Sequence, residues 1–243
     1  MNVKLIVEYE GTGFHGWQRQ SADTRTVEST LSNAIYALTG ERPTLIAAGR
    51  TDAGVHALGQ CVNFVLEKPF PVEQLPGALN ARLPDDVVVR IAEQVGDAFH
   101  ARYSAASRTY AYRIRPLARR LAYERQYAWG LASGLDLEAM RRAAALLVGT
   151  HDFGAFGRSP RAGGHTVRTV FSASVEQADG EVVITVVANA FLYGMMRAIT
   201  GGLVEVGLGR KPVEWITEVL NRVDGTRVKP APAQGLVQMG VKY

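Results

Sequence analysis

The chain has 243 residues, 47% hydrophobic and 21% charged, a balance that excludes wholesale disorder and suffices for one large or two small domains. Basic side chains exceed acidic ones by 27 − 23 = 4, which permits a polyanionic partner without demanding one. Only 5 of the 27 basic side chains are lysine. Arginine is the better fork for phosphate and the better stacking partner for bases, although a GC-rich coding bias would give the same excess.

The single Cys61 excludes an intramolecular disulfide and a cysteine-based metal cluster. No apolar run reaches membrane-spanning length, and the first residues enter a strand pattern directly. Neither a signal peptide nor a spanning helix is expected, and the cytoplasm is the default location.

In chain order, Val3–Tyr9 is a β-rich run with partial alternation. Gly11-Thr-Gly-Phe-His-Gly-Trp-Gln-Arg-Gln20 follows, a loop with three glycines, two large aromatics and Arg19. A helix is predicted from Thr26, which caps it, with Glu28 at the positive end of its dipole and Gly40 closing it. Val27, Leu31, Ile35 and Leu38 then share one face. Thr44–Ala48 reads as a buried strand, and a second strand near Gln60–Val65 completes a βαββ-like unit. A helical stretch over Val72–Asn80 and a strand over Val87–Ala92 come next, before a polar and aromatic connection at Asp97–Ser104.

Arg108–Ile114 alternates with period two, placing Tyr110, Tyr112 and Ile114 on one face of a strand. The basic run Arg115–Arg120 ends it as a loop. Asp136 caps a helix running to Leu147, with Leu137, Met140, Ala144 and Leu147 facing the core and Gly149 as its stop. After a second glycine-rich loop, Gly157–Thr166, strands at Val167–Val175 and Glu181–Ala188 form a hairpin about Ala178-Asp-Gly180. Phe191–Val206 and Val213–Val223 read as helices and Leu236–Val241 as a final strand. The strand–helix–strands pattern thus occurs twice. The fold class expected is α+β, with two similar halves, residues 1–104 and 105–243, built on antiparallel sheets with helices on one face.

Chemistry points to Ala48-Gly-Arg-Thr-Asp-Ala-Gly-Val-His56, where Gly49 and Gly54 permit a tight path around Arg50, Thr51 and Asp52. The histidines at 15, 56, 100, 151 and 165 have no metal-ligand spacing, and no phosphate loop, dinucleotide fingerprint or serine elbow is present, so no metal and no cofactor is expected. Asp52 could serve as a nucleophile at a sugar carbon or as a base. Taken alone, the loop reads more readily as a solvated charged turn. Arg50 and Arg197 are the cations that would keep Asp52 ionised, and Arg197 interrupts an otherwise apolar helix opening, unless it simply faces solvent. Tyr110 and Tyr112 suit either a strand core or a role in base stacking and proton exchange. Arg19, Arg25, Arg119, Arg120, Arg158, Arg161 and Arg168 could line a phosphate-tracking rim.

Five strings together resemble one family. They are Glu8-Tyr-Glu-Gly-Thr-Gly-Phe-His-Gly-Trp-Gln-Arg-Gln20, Ala48–His56, Phe99-His-Ala-Arg-Tyr-Ser-Ala105, Arg108-Thr-Tyr-Ala-Tyr112 and Asn189-Ala-Phe-Leu-Tyr-Gly-Met-Met-Arg197. In this order, and spanning nearly the whole chain, they are similar to the bacterial tRNA pseudouridine synthase A family. The resemblance implies two RRM-like or ferredoxin-like halves whose sheets are continuous, with the catalytic cleft between them. It implies a cofactor-free isomerase acting on uridines 38, 39 and 40 of the tRNA anticodon arm, working as a homodimer. Asp52 matches the family's nucleophile, Tyr110 the tyrosine that stacks on the target base, Arg50 the arginine associated with nucleotide flipping, and Arg197 the arginine paired with the carboxylate. Tyr193 and Gly194 stand where some members carry histidine, and Gln234-Gly-Leu-Val237 stands for the C-terminal motif. Two other readings are a non-catalytic RNA-binding protein with RRM-like halves and a nucleoside or glycoside hydrolase. The hydrolase would need a second carboxylate, and none is obviously placed for it.

Overall fold

The computed structural model describes residues 1–21, 23–116, 122, 124–132, 134–160, 163–222 and 226–243. They divide into two compact units, Met1–Ala106 with Gln238–Tyr243, and Ser107–Val237.

The first unit runs β1 (Asn2–Tyr9), α1 (Val27–Thr39), β2 (Ile46–Ala47), β3 (His56–Val65), α2 (Leu75–Asn80) and β4 (Val87–Val95). Its strands pair antiparallel in the order β4-β1-β3, with β2 on the far side of β3. That is the split β-α-β arrangement of ferredoxin-like folds. Thr26 accepts from the Ser29 backbone N–H at 3.2 Å, and Gly40 takes the left-handed conformation (φ 76) that ends α1. Leu31 and Ile35 of α1 and Leu75 and Leu79 of α2 are buried with Val3, Leu5 and Val7 of β1 and Val62 and Phe64 of β3. Burying each large aliphatic side chain contributes on the order of 2 kcal/mol. The opposite face of the sheet holds a smaller cluster of Ala48, Cys61 and Ala101.

The second unit runs β5 (Ser107–Pro116), β6 (Trp129–Leu131), α3 (Leu137–Ala145), β7 (Gly149–Asp152), β8 (Val167–Ala178), β9 (Glu181–Ala188), α4 (Met195–Gly207) and α5 (Trp215–Leu220). Strands β5-β9-β8-β7 pair antiparallel, and β6 lies parallel to the end of β5. Asp179 (φ 52) and Gly180 (φ 77) make the two-residue turn between β8 and β9, both in the left-handed region such hairpins require. Asp136 caps α3 by accepting from the Ala139 N–H at 2.9 Å. The last strand, β10 (Leu236–Lys242), begins in this unit, and from Gln238 onward it belongs to the first. Both units are antiparallel α+β, as the residue patterns predict.

Some boundaries differ from expectation. The strand expected over 44–48 is only the two residues of β2. The helix expected from Phe191 starts at Met195, because Gly194 sits at φ 73 and right-handed helix cannot run through it. The helix expected over 213–223 is confined to Trp215–Leu220, and residue 223 lies outside the described residues. Strands β6 and β7, three and four residues long, carry no alternation long enough to read.

Candidate active site

Asp52 sits half-buried on the loop between β2 and β3, with Arg50 exposed beside it. The loop is short, so its shape has to be imposed from outside, and the glycine-rich loop after β1 imposes it. Trp17 N–H donates to the Thr51 carbonyl at 3.1 Å, and Gly54 N–H donates to the Phe14 carbonyl at 3.2 Å. Gly11 N–H donates to His56 Nδ1 at 3.0 Å. Because that nitrogen is already accepting, the 3.4 Å approach of Glu10 Oε1 to it is a contact and not an ion pair. Gly54 closes the loop at φ 78, aided by Val55 N–H on the Asp52 carbonyl at 3.2 Å.

The two loops touch backbone to backbone. A Cβ on Gly11 would stand 2.0 Å from the Val55 carbonyl oxygen, and one on Gly16 (φ 88) would stand 2.7 Å from the Thr51 carbonyl oxygen. Behind the loop, Gln60 Nε2 donates to the Gly49 carbonyl at 2.7 Å, and the Tyr9 hydroxyl lies 2.8 Å from Thr51 Oγ1. The carboxylate is therefore carried on a backbone tied down on both sides, which is what a preorganised reactive group needs.

In the second unit, Tyr110 is buried in β5 with its ring edge-to-face against Phe191 at 4.7 Å. Arg197, in the first turn of α4, is half-buried. Its Nε donates to the Ala231 carbonyl at 2.8 Å, while Ala231 N–H returns a bond to the Arg197 carbonyl at 2.9 Å. The 229–231 segment runs so close to α4 that a Cβ on Gly201 would be 2.2 Å from the Lys229 carbonyl oxygen. Tyr112 is fully buried and donates to the Pro232 carbonyl at 2.7 Å. Among the described residues, no group of three His, Cys, Asp or Glu side chains is placed to hold a metal ion.

Burial pushes both the Tyr9 and the Tyr112 phenols above their ordinary range. Hydrogen bonds with Thr51 and Gln60 offset part of this at Tyr9, and the Arg197 charge offsets part at Tyr112. A raised folded-state value means the protonated phenol stabilises the fold below about pH 10, where unfolded tyrosine ionises. That contribution is lost as pH rises further. The thermal unfolding midpoint is expected to fall progressively above about pH 10, and less so in Tyr112→Phe. Equal losses in the two proteins would show that Tyr112 takes no part.

With this geometry in place, known proteins are informative. The family profile described as tRNA pseudouridine synthase matches residues 5–104 and 143–243. The tRNA pseudouridine synthase A of Thermoanaerobacter sp. (strain X514) is 44% identical over 243 residues, covering 100% of this chain and 99% of that protein. The proteins of the same name from Acetivibrio thermocellus and Syntrophotalea carbinolica are each 42% identical, over 100% and 99% of this chain and 99% and 96% of their own lengths. The chain belongs to the tRNA pseudouridine synthase family. Arg50, Asp52 and Arg197 fall inside the matched segments of the family profile, and Tyr110 falls between them.

As a member of that family, the chain places its candidate rim arginines unevenly. Arg19 and Arg158 are exposed. The backbone of Arg158 pairs with that of Tyr193 (3.2 and 3.0 Å), and this tethers the second glycine-rich loop next to the start of α4. Arg25 forks Asp86 with two 2.8 Å bonds and lies 4.0 Å over the Phe14 ring. Arg168 is buried, and its Nη1 donates to the carbonyls of Val167 (2.6 Å) and His165 (3.2 Å). Arg119, Arg120 and Arg161 lie outside the described residues. Residue-by-residue reading missed Tyr9, Gly11, Gly16, Thr51 and Gln60 as builders of the Asp52 loop. Only the dense glycines and aromatics of 11–17 hinted at them.

Proposed function

We propose that this protein isomerises uridine to pseudouridine at positions 38, 39 and 40 in the anticodon arm of tRNA, with Asp52 as nucleophile. The observation that carries the reading is the half-buried Asp52 on a loop anchored at Thr51, Gly54 and Val55, in a chain of the tRNA pseudouridine synthase family. The carboxylate attacks the ribose or the base as the glycosidic bond breaks. The uracil rotates, carbon 5 bonds to carbon 1′ of the ribose and the Asp52 adduct is released; carbon 5 gives up its proton and N1 takes one up, so atoms and electrons balance without a cofactor. The reacting carbons of a stacked nucleotide are out of reach, so the uridine is extruded first. Arg50 holds the flipped nucleotide, Tyr110 stacks on the base, and Arg197 serves as the cation for the catalytic carboxylate. The exposed Arg19 and Arg158, with Arg119, Arg120 and Arg161, follow the tRNA backbone electrostatically. Arg25 contributes beside its bonds to Asp86, whereas the buried Arg168 is turned onto the carbonyls of its own loop and supports that loop. The enzyme acts as a homodimer in the cytoplasm.

The test is product mapping on a tRNA with uridine at all three positions, incubated with the pure protein. Pseudouridine at those positions is expected. Unmodified tRNA that nonetheless binds the protein would favour a pure RNA-binding role, and free uracil would favour a hydrolase.

A further inference from the structure

The polar atoms behind the Asp52 loop form a chain of hydrogen bonds. Gln238 of β10 is fully buried and donates from Nε2 to Gln60 Oε1 at 3.3 Å. Gln60, also fully buried, has two N–H groups on Nε2. One goes to the Gly49 carbonyl at 2.7 Å, and the side chain also bonds the Tyr9 hydroxyl. The amide oxygen of Gln60 has two lone pairs, so Gln60 can meet the phenol through Oε1 or through its second N–H. The Tyr9 hydroxyl shares a hydrogen bond with Thr51 Oγ1, 2.8 Å away, in which either oxygen can donate. The contacts run from Gln238 to Gln60 to Tyr9 to Thr51. Each donor in such a chain polarises the next, and in a dry interior the bonds are strong and costly to break.

The chain ends on the residue before Asp52. Thr51 is 7% exposed, its carbonyl accepts from Trp17 N–H, and Gly16 closes on the same carbonyl. Its backbone and side chain are both held, so the peptide unit entering Asp52 has little freedom. Tyr9 also packs against Trp17, with ring centroids 6.2 Å apart, which keeps the phenol in place from the other side. A buried phenol and two buried amides are an expensive way to fill the end of a strand pair, where leucine or phenylalanine would pack without polar partners.

We propose that Tyr9, backed by Gln60, is a positioning residue that sets the Asp52 carboxylate through Thr51. The inference rests on Asp52 being the nucleophile. It predicts that losing one hydroxyl slows the chemical step while leaving tRNA binding intact.

Tyr9→Phe keeps the ring against Trp17 and removes the hydroxyl bonded to Thr51. It is expected to lower kcat on full-length tRNA by roughly 10- to 100-fold, the range a small misplacement of a reactive group produces, with KM within about twofold of wild type. Thr51→Val should give the same loss, and Thr51→Ser, which keeps the hydroxyl, should restore most of the rate. The double variant Tyr9→Phe/Thr51→Val should be no slower than the slower single variant, because both remove the same bond. If Tyr9→Phe does not fold, Thr51→Val against Thr51→Ser decides the matter.

A lowered melting midpoint with wild-type kcat in Tyr9→Phe and Thr51→Val would reduce the chain to a structural role and overturn the proposal. Additive losses in the double variant would overturn it as well. Asp52→Asn in the same assay separates this from the underlying reading. If Asp52→Asn is inert and Tyr9→Phe is normal, only the positioning role fails. If Asp52→Asn turns over, the nucleophile assignment fails and the positioning role with it.

Discussion

Asp52→Asn is expected to abolish pseudouridine formation while leaving the fold and most of the tRNA affinity in place. Asparagine matches aspartate in shape but is neither charged nor nucleophilic at neutral pH. The loop is held at the Thr51 carbonyl and hydroxyl, the Gly49 carbonyl, the Gly54 N–H and the Asp52 carbonyl. The substitution leaves these groups in place and keeps one side-chain oxygen, so the unfolding midpoint should stay close to wild type. Loss of a covalent nucleophile removes a whole route, so the rate should drop on the order of 10⁴-fold or more. The measurement is tritium release from tRNA labelled at uracil carbon 5, run beside a filter-binding titration at fixed salt, since affinity for a polyanion depends on salt. Normal turnover by Asp52→Asn would remove Asp52 from the mechanism. Lost binding together with lost turnover would show that the carboxylate also supports the fold or the RNA complex.

How much of this could be read from residues alone depended on how local each signal was. The helix α1 was legible because Thr26 and Gly40 cap it within the chain's own sequence, and the β8–β9 hairpin because Asp179-Gly180 adopts two left-handed conformations in succession. The start of α4 was misread by four residues. The apolar spacing continues back to Phe191, but Gly194 breaks the backbone there. Asp52 stood out as the reactive group left once metals, phosphate loops and serine elbows were set aside, and its role came from the family resemblance.

What holds Asp52 was not legible, because Gly11 and His56 are 45 residues apart and nothing in either string announces the other. The same limit applies to charge. Arg25 and Arg19 look alike in sequence, yet one is forked on Asp86, 61 residues away, and the other is exposed. Arg168 is turned back onto its own loop by carbonyls that every residue carries. Residue type announces chemistry, whereas burial and partnership are decided by the tertiary fold.

The three glycines of the 11–17 loop supply the second large effect, because the structure asks different things of each. A methyl group on Gly11 would lie 2.0 Å from the Val55 carbonyl oxygen and 2.5 Å from the Val55 carbonyl carbon, both backbone atoms that cannot swing aside. One on Gly13 would meet Arg25 Nη1 at 2.9 Å and Asp86 Oδ2 at 3.9 Å, the ends of two side chains and no backbone atom. Gly11→Ala is therefore expected to push the two loops apart, costing about 3 kcal/mol, the upper end of ordinary overpacking. For a chain of this length that is a midpoint lowered by roughly 6–12 °C. Turnover should suffer more than stability alone explains, by about 100-fold at temperatures where the variant remains folded, because Val55 and Asp52 share the displaced turn and a shift near 1 Å is enough. Gly13→Ala should stay within about 1 kcal/mol of wild type and keep near-normal turnover. Melting curves and tRNA turnover on the two variants side by side give the answer. Equal behaviour would mean the loops can separate without disturbing Asp52. A destabilised Gly11→Ala with normal turnover would mean that the latch holds the fold together and does not position the carboxylate.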